Sequence, residues 1–236
     1  MRGKMLKTDK GNLYYQVGGS GEALLLLHGN GEDSDLFAKQ FPFFTRHFRV
    51  IALDTRGHGR SELGVERLTF KQIAEDILAL LDNERIRRVH VLGFSDGGNL
   101  GLYLAAHHPE RTASLIAMGA NYQADGLTDA CYAETLEHYE QLLALPDTDP
   151  EKILRLCIHN LMLSELDLSE ADLRSIQAPT LLLAGEFDLI RDDQTEAMHR
   201  LIPGSQKYIV PGGHHSFFVD DPKVLERLAK KFYASL

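Results

Sequence analysis

The chain has 236 residues, 44% of them hydrophobic and 25% charged, which suits one globular core with a modest insertion rather than two independent domains. The net charge is −9 and no basic stripe occurs, which excludes a nucleic-acid surface and so a nucleic-acid partner. Two cysteines, Cys131 and Cys157, do not make a disulfide framework; both fall among apolar helical residues and read as small buried hydrophobes.

Residues 1–10 are basic but lack the apolar core of an export signal, and no stretch approaches the roughly 20 apolar residues of a membrane span. A cytoplasmic location without membrane association is expected. Residues 11–17 predict an edge strand or hairpin. Gly18-Gly19-Ser20-Gly21 precedes a strand, not a helix, and reads as a turn instead of a phosphate loop. Short apolar runs then follow at residues 24–27, 50–53, 89–92, 114–118 and 180–184, each closed by glycine or a polar residue, as buried parallel strands are. Between them Ile73, Ile77, Leu80 and Leu81 share one helical face, and so do Leu100, Leu104 and Ala105. Residues 207–210 form the last strand, and residues 223–236 close the chain as a helix with Val224, Leu228 and Phe232 at helical spacing. The alternation predicts an α/β fold with a doubly wound, mostly parallel sheet.

Residues 121–175 break the alternation. Tyr132, Leu136, Tyr139 and Leu143 share one helical face, and Leu154, Cys157, Ile158 and Leu161 another, with Pro146 and Pro150 between them; most of these are expected to be packing residues. Ser169 with Asp172 marks a further helix start. The domain plan is therefore a core of residues 1–120 and 176–236 with a short helical lid at 121–175, placed over the carboxyl ends of the strands where open α/β sheets bind ligands.

The chemistry is concentrated at strand ends. Gly93-Phe94-Ser95-Asp96-Gly97-Gly98 leaves a strand and opens a helix, the context required of a G-x-S-x-G nucleophile elbow, and nominates Ser95 as nucleophile. His28-Gly29-Asn30-Gly31 ends an earlier strand, so the backbone N–H groups of Asn30 and Asp96 are the expected oxyanion donors. Asp188, in Gly185-Glu186-Phe187-Asp188, is the expected acid, because Gly119-Ala120-Asn121 after the preceding strand supplies none. Glu186 and Asp193 read as loop or helix-terminal charges. Among eleven histidines, chain order leaves His199, His214 and His215; His199 falls within a helical run, so the base is one of the pair in the loop Pro211-Gly212-Gly213-His214-His215. Residues 54–61, including His58, read as a structural turn whose Asp and Arg bond locally. No cluster has metal-ligand spacing, so no metal and no cofactor are expected.

Taken together, His28 to Gly31, Asp54 to Ser61, Gly93 to Gly98, Gly185 to Asp188 and Gly213 to Pro222 resemble the α/β-hydrolase superfamily over nearly the whole chain. The resemblance implies that fold and a serine hydrolase. Members carry a proline or small residue seven positions after the catalytic histidine; Pro222 stands there relative to His215, which makes His215 the base and His214 the reserve. Within the superfamily, Gly93 to Gly98 and Met118-Gly119-Ala120-Asn121 are similar to the valacyclovir hydrolase group, which cleaves amino-acid esters and carries an aspartate beside the nucleophile. This chain departs from that group in its shorter lid. The resemblance implies a small-molecule carboxylic ester as substrate and Asp96 as a contact for its amino group; otherwise Asp96 bonds a local backbone N–H or a lid residue. Carbon–carbon bond hydrolases and cofactor-free perhydrolases or haloperoxidases share the same parts. A lidded small-molecule sensor with little turnover is the alternative from another class. The oligomeric state is not legible in the sequence.

Overall fold

A computed structural model describes residues 1–149, 151–166 and 168–236; Pro150, expected between two lid helices, lies outside them. The sheet has eight strands in the order β1-β2-β4-β3-β5-β6-β7-β8. They are β1 (Arg2–Thr8), β2 (Gly11–Gly18), β3 (Ala23–Leu27), β4 (Arg49–Leu53), β5 (Val89–Phe94), β6 (Thr112–Met118), β7 (Thr180–Phe187) and β8 (Gln206–His214). The β1–β2 and β2–β4 pairs are antiparallel and the remaining pairs parallel. The helices in chain order are α1 (Phe41–Phe44), α2 (Phe70–Asn83), α3 (Asp96–His107), α4 (Asp129–Leu143), α5 (Lys152–Asn160), α6 (Glu170–Ser175), α7 (Asp192–Leu201), α8 (Phe217–Asp220) and α9 (Pro222–Tyr233).

Every residue of β3 is buried, because helices cover both faces of the sheet. Successive side chains leave a strand on opposite sides, and the core divides accordingly. Leu25 and Leu27 pack with Ile73, Ile77, Leu100 and Leu104, while Leu24 and Leu26 pack with Phe218, Leu225 and Phe232. The helical faces read from residue spacing in α2 and α3 are thus the buried ones. In α9 Leu228 and Phe232 are buried, with Leu225 beside them and Val224 half-buried.

Two elements differ from the sequence expectation at the sheet edges. β1 was not anticipated: only Leu6 of its seven residues is buried, so no apolar run announces it, and pairing with β2 alone defines it. β8 continues through residues 211–214, which read as a loop, and pairs Phe187 with His214 beyond an irregularity near Gly185. As an edge strand it needs ladder bonds on one side only, so Pro211 is tolerated there.

The turn after β4 has a structural role. Asp54 accepts hydrogen bonds from the Ser34 and Arg60 backbone N–H groups at 2.9 and 2.8 Å, so its bonding is partly local. Arg56, by contrast, reaches out of the turn to Asp76 on α2 in a two-pronged pair, Nε–Oδ2 at 2.7 Å and Nη2–Oδ1 at 2.6 Å, with its side chain fully buried. Removing one partner of such a pair strands a buried charge, at about 3–5 kcal/mol. Asp76→Ala is therefore expected to lower Tm by roughly 6–20 °C for a chain of this size, measured by thermal unfolding. A drop of under 2 °C would show that the pair contributes little.

Candidate active site

The strand β5 turns into α3 at Ser95, which has φ 53° and ψ −121°. A non-glycine residue with positive φ is strained and persists only where its surroundings hold it. Here the Ser95 N–H donates to the Met118 carbonyl at 2.8 Å, and the Ser95 carbonyl accepts the Asn99 N–H at 3.0 Å. The two flanking glycines are sterically required. A Cβ on Gly93 would lie 2.1 Å from the Gly97 carbonyl oxygen, and one on Gly97 would lie 2.1 Å from that of Leu27. Although Ser95 occupies the N-cap position of α3, its hydroxyl caps no helical N–H among the described residues. The first N–H groups of α3, that of Asp96 included, have no acceptor within the helix and sit at its positive end.

Asp188 lies just beyond β7. Its carboxylate accepts the backbone N–H groups of Gly185 at 2.9 Å and Ile190 at 3.1 Å, and it meets His215 Nδ1 at 2.5 Å. Burial pushes its carboxyl up, but the hydrogen bond and charge of His215 and the two N–H groups outweigh this and hold it below the ordinary carboxylate range. An ionised carboxylate only accepts, so His215 Nδ1 is the donor of this hydrogen bond. The ring lies against Phe94 at 4.7 Å between centroids and over Gly119, where a Cβ would come within 2.7 Å of it. Ser95 and His215 line one cavity. His214 faces elsewhere: it is exposed, with its ring 5.7 Å from that of Phe187. The expected loop charges are at the surface, Glu186 accepting the Gly212 N–H at 2.7 Å and Asp193 pairing with Arg191 at 2.6 Å. His199 bonds Ser205 Oγ at 3.0 Å.

The loop after β3 packs directly on the elbow, with the position of a Gly29 Cβ only 3.1 Å from the Ser95 Cβ. His28 is buried beneath it; Nε2 accepts the Thr55 N–H at 3.0 Å, so Nδ1–H donates to the Gly29 carbonyl at 2.7 Å. Burial holds this imidazole below its ordinary range, neutral, despite the Gly29 bond and the Asp54 charge. The Asn30 side chain donates to Asp96 Oδ2 and to the Ile158 carbonyl, both at 2.8 Å.

Asp96 meets side chains instead of backbone: besides Asn30 it accepts from Asn99 Nδ2 at 3.3 Å, and Asn99 in turn exchanges two hydrogen bonds with Asn121. Burial pushes the Asp96 carboxyl up to about 6, against the pull of Asn30, Asn99 and the His215 charge. Asp96, Asn99 and Asn121 all face the cavity. The sequence reading missed Asn99 and Asn121, although Asn99 stands three residues after Asp96 and so on the same helical face. It also missed Glu32, whose carboxylate accepts the Gly29 N–H at 3.0 Å; burial raises its pKa, opposed by that bond and by the His215 charge. No local pattern marks Glu32.

The roof of the cavity comes from the 121–175 segment: Leu127, Cys131, Leu161, Met162 and Leu166 face it, with Leu189 and Ile190 beside them. Cys131 is thus half-buried at the cavity wall, unlike Cys157, which is packed as expected. The inward side of α4 is Cys131, Thr135 and Leu142, whereas Tyr132, Leu136 and Leu143, expected to pack, are exposed. The two sets are displaced by one residue. Spacing identifies a face without saying which neighbour it meets. Among the described residues no helix is long and apolar enough to cross a membrane, and no group of three or more His, Cys, Asp or Glu could hold a metal ion.

A doubly wound sheet with a serine on a strained strand-to-helix turn, facing an Asp–His pair from the last two strands, is the architecture of a hydrolase. The model of the alpha/beta hydrolase fold matches residues 22–161, and the chain belongs to that family and is a hydrolytic enzyme. RutD of Caulobacter sp. (strain K31), which carries a provisional name as a carbamate hydrolase, is 26% identical, over 93% of this chain and 95% of its own length. The 3-oxoadipate enol-lactonase 1 of Acinetobacter baylyi is also 26% identical, over 95% of this chain and 94% of its own. Among solved structures, a hydrolase from Pseudomonas aeruginosa PA01 superposes with a TM-score of 0.83 at 27% identity, covering 98% of each chain.

Proposed function

We propose that the chain is a serine carboxylic-ester hydrolase acting on a small molecule. The observation that carries this is the strained Ser95 elbow opening into the same cavity as His215, whose Nδ1 meets Asp188. Ser95 Oγ attacks the ester carbonyl while His215 Nε2 takes its proton. Asp188 holds the imidazole with Nδ1–H bound and stabilises the imidazolium. The backbone N–H groups of Asn30 and Asp96 receive the oxyanion, the Asp96 group at the positive end of α3. The leaving alcohol takes the proton from His215, and water then cleaves the acyl-enzyme by the reverse route. Residues 121–175 act as the cap over the site. The enol-lactonase relative, named for a cyclic ester, supports this bond class. A serine-directed fluorophosphonate followed by a panel of p-nitrophenyl esters tests the reading. Label at Ser95 and turnover of short esters are expected; label on another serine would overturn it.

Asp96 supports a finer reading, selection of a cationic substrate group such as the α-ammonium of an amino-acid ester. Its carboxylate faces the cavity, and two asparagines hold it in place. Residues 121–175 carry twelve acidic and three basic side chains, so the whole net charge of −9 lies in the cap and draws cations toward the cavity. An ion pair worth about 1.4 kcal/mol gives a tenfold preference. The native enzyme should favour an amino-acid ester about tenfold over its N-acetyl counterpart in kcat/KM, and Asp96→Asn should abolish the preference while still cleaving neutral esters. Asp96 is ionised above a pKa of about 6, so the preference should fade as the pH drops through that value. Equal rates on the two esters in the native enzyme at pH 8 would assign Asp96 a structural role.

A further inference from the structure

The cavity above Ser95 has a volume of about 30 Å³, room for one or two water molecules. A groove of about 590 Å³ runs between α4, α5 and Gly31, with Leu142, Leu145 and Ile158 forming its apolar wall. Asp96 lines the cavity and Ile158 lines the groove. The Asn30 carboxamide joins them. Its nitrogen lies 2.8 Å from Asp96 Oδ2 and 2.8 Å from the Ile158 carbonyl oxygen. Both partners are acceptors, so both hydrogens of the amide are engaged and its orientation is determined. Ile158 is able to accept because it falls among the last four residues of α5, where carbonyls lack partners inside the helix. Beyond it the chain continues as a π turn, Leu161–Glu165, whose first two residues roof the cavity.

We propose that the Asn30 carboxamide is a partition that sets substrate length: in place, it walls the cavity off from the groove, and displaced, it lets a medium-length unbranched acyl chain run into the groove. This rests on the ester-hydrolase reading. The residue is suited to the task because its two functions are separable. The backbone N–H serves the reaction, whereas the side chain only bridges the cap to Asp96. Removing the side chain opens the wall and retains the N–H. The groove offers the chain Leu142, Leu145 and Ile158 as apolar contacts, with His138, Gln141, Arg155 and His159 along its other sides.

The test compares kcat/KM for p-nitrophenyl octanoate and acetate in the native enzyme, Asn30→Ala and Asn30→Ala/Leu145→Trp, with Ser95→Ala as the blank. Asn30→Ala is expected to raise the octanoate-to-acetate ratio at least tenfold, chiefly through a lower KM for octanoate. Leu145→Trp, which narrows the groove at its apolar wall, should return the ratio toward the native value in the double variant and leave the acetate rate as in Asn30→Ala. Should Asn30→Ala not fold, Asn30→Ser, too short to reach Ile158, makes the same comparison. An unchanged ratio, or a raised ratio that survives Leu145→Trp, overturns the partition while Ser95-dependent turnover stands. Turnover that persists in Ser95→Ala overturns the ester-hydrolase reading beneath it.

Discussion

Replacing Ser95 by alanine is expected to lower kcat/KM by on the order of 10⁴-fold or more, equivalent to about 5 kcal/mol of lost transition-state stabilisation. Residual turnover would come from the N–H donors of the oxyanion site and from binding, which the substitution leaves in place. Folding should be retained, since the Ser95 hydroxyl caps no helical N–H among the described residues and the backbone bonds to Met118 and Asn99 survive. A second substitution separates chemistry from strain. Ser95 sits at φ 53°, a backbone conformation that costs about 1–3 kcal/mol for a residue with a Cβ. Ser95→Gly should therefore be as inactive as Ser95→Ala yet melt a few degrees higher. The two measurements are steady-state ester hydrolysis and calorimetric Tm. An alanine variant within tenfold of native activity would remove Ser95 from the reaction, and a glycine variant melting lower would show that the elbow stores no strain.

His215→Ala is expected to cost nearly as much activity as Ser95→Ala, because residues that act as a unit fail together. His214→Ala should change kcat/KM by less than about threefold, since its exposed ring rests on Phe187 and not on Asp188. The double variant Ser95→Ala/His215→Ala should be no slower than either single variant, which distinguishes a shared step from two independent losses. If His214→Ala proved the more damaging, the base would have to be reassigned.

Much of the fold is legible along the chain because parallel strands buried on both faces must be short, apolar and regularly interrupted by helices. The elbow is legible for a similarly local reason. The Gly93–Gly97 approach is a clash within five residues of chain, so the constraint and the residues that satisfy it lie together in the sequence. Strand-end position likewise points to Asp188. Local pattern fails where contacts on one side only define an element. β1 carries one buried residue, and β8 runs through a proline and two glycines because it lies at the sheet edge.

The sequence by itself determined the doubly wound sheet, the strand-end placement of Ser95 and Asp188, and a helical segment inserted before β7. Its histidine pair stayed open until family resemblance favoured one member. Only the tertiary structure decided that His215 turns to Asp188 while His214 turns to Phe187, that the Cys131–Thr135–Leu142 side of α4 faces inward, and that Asn30 spans from the elbow to the cap. The contacts concerned join residues 27, 66 and 128 positions apart. Steric limits within a turn act on neighbours in sequence and leave their mark there. Which of two adjacent side chains meets a partner so far away depends on how strands and helices pack, and the same local spacing is compatible with either choice.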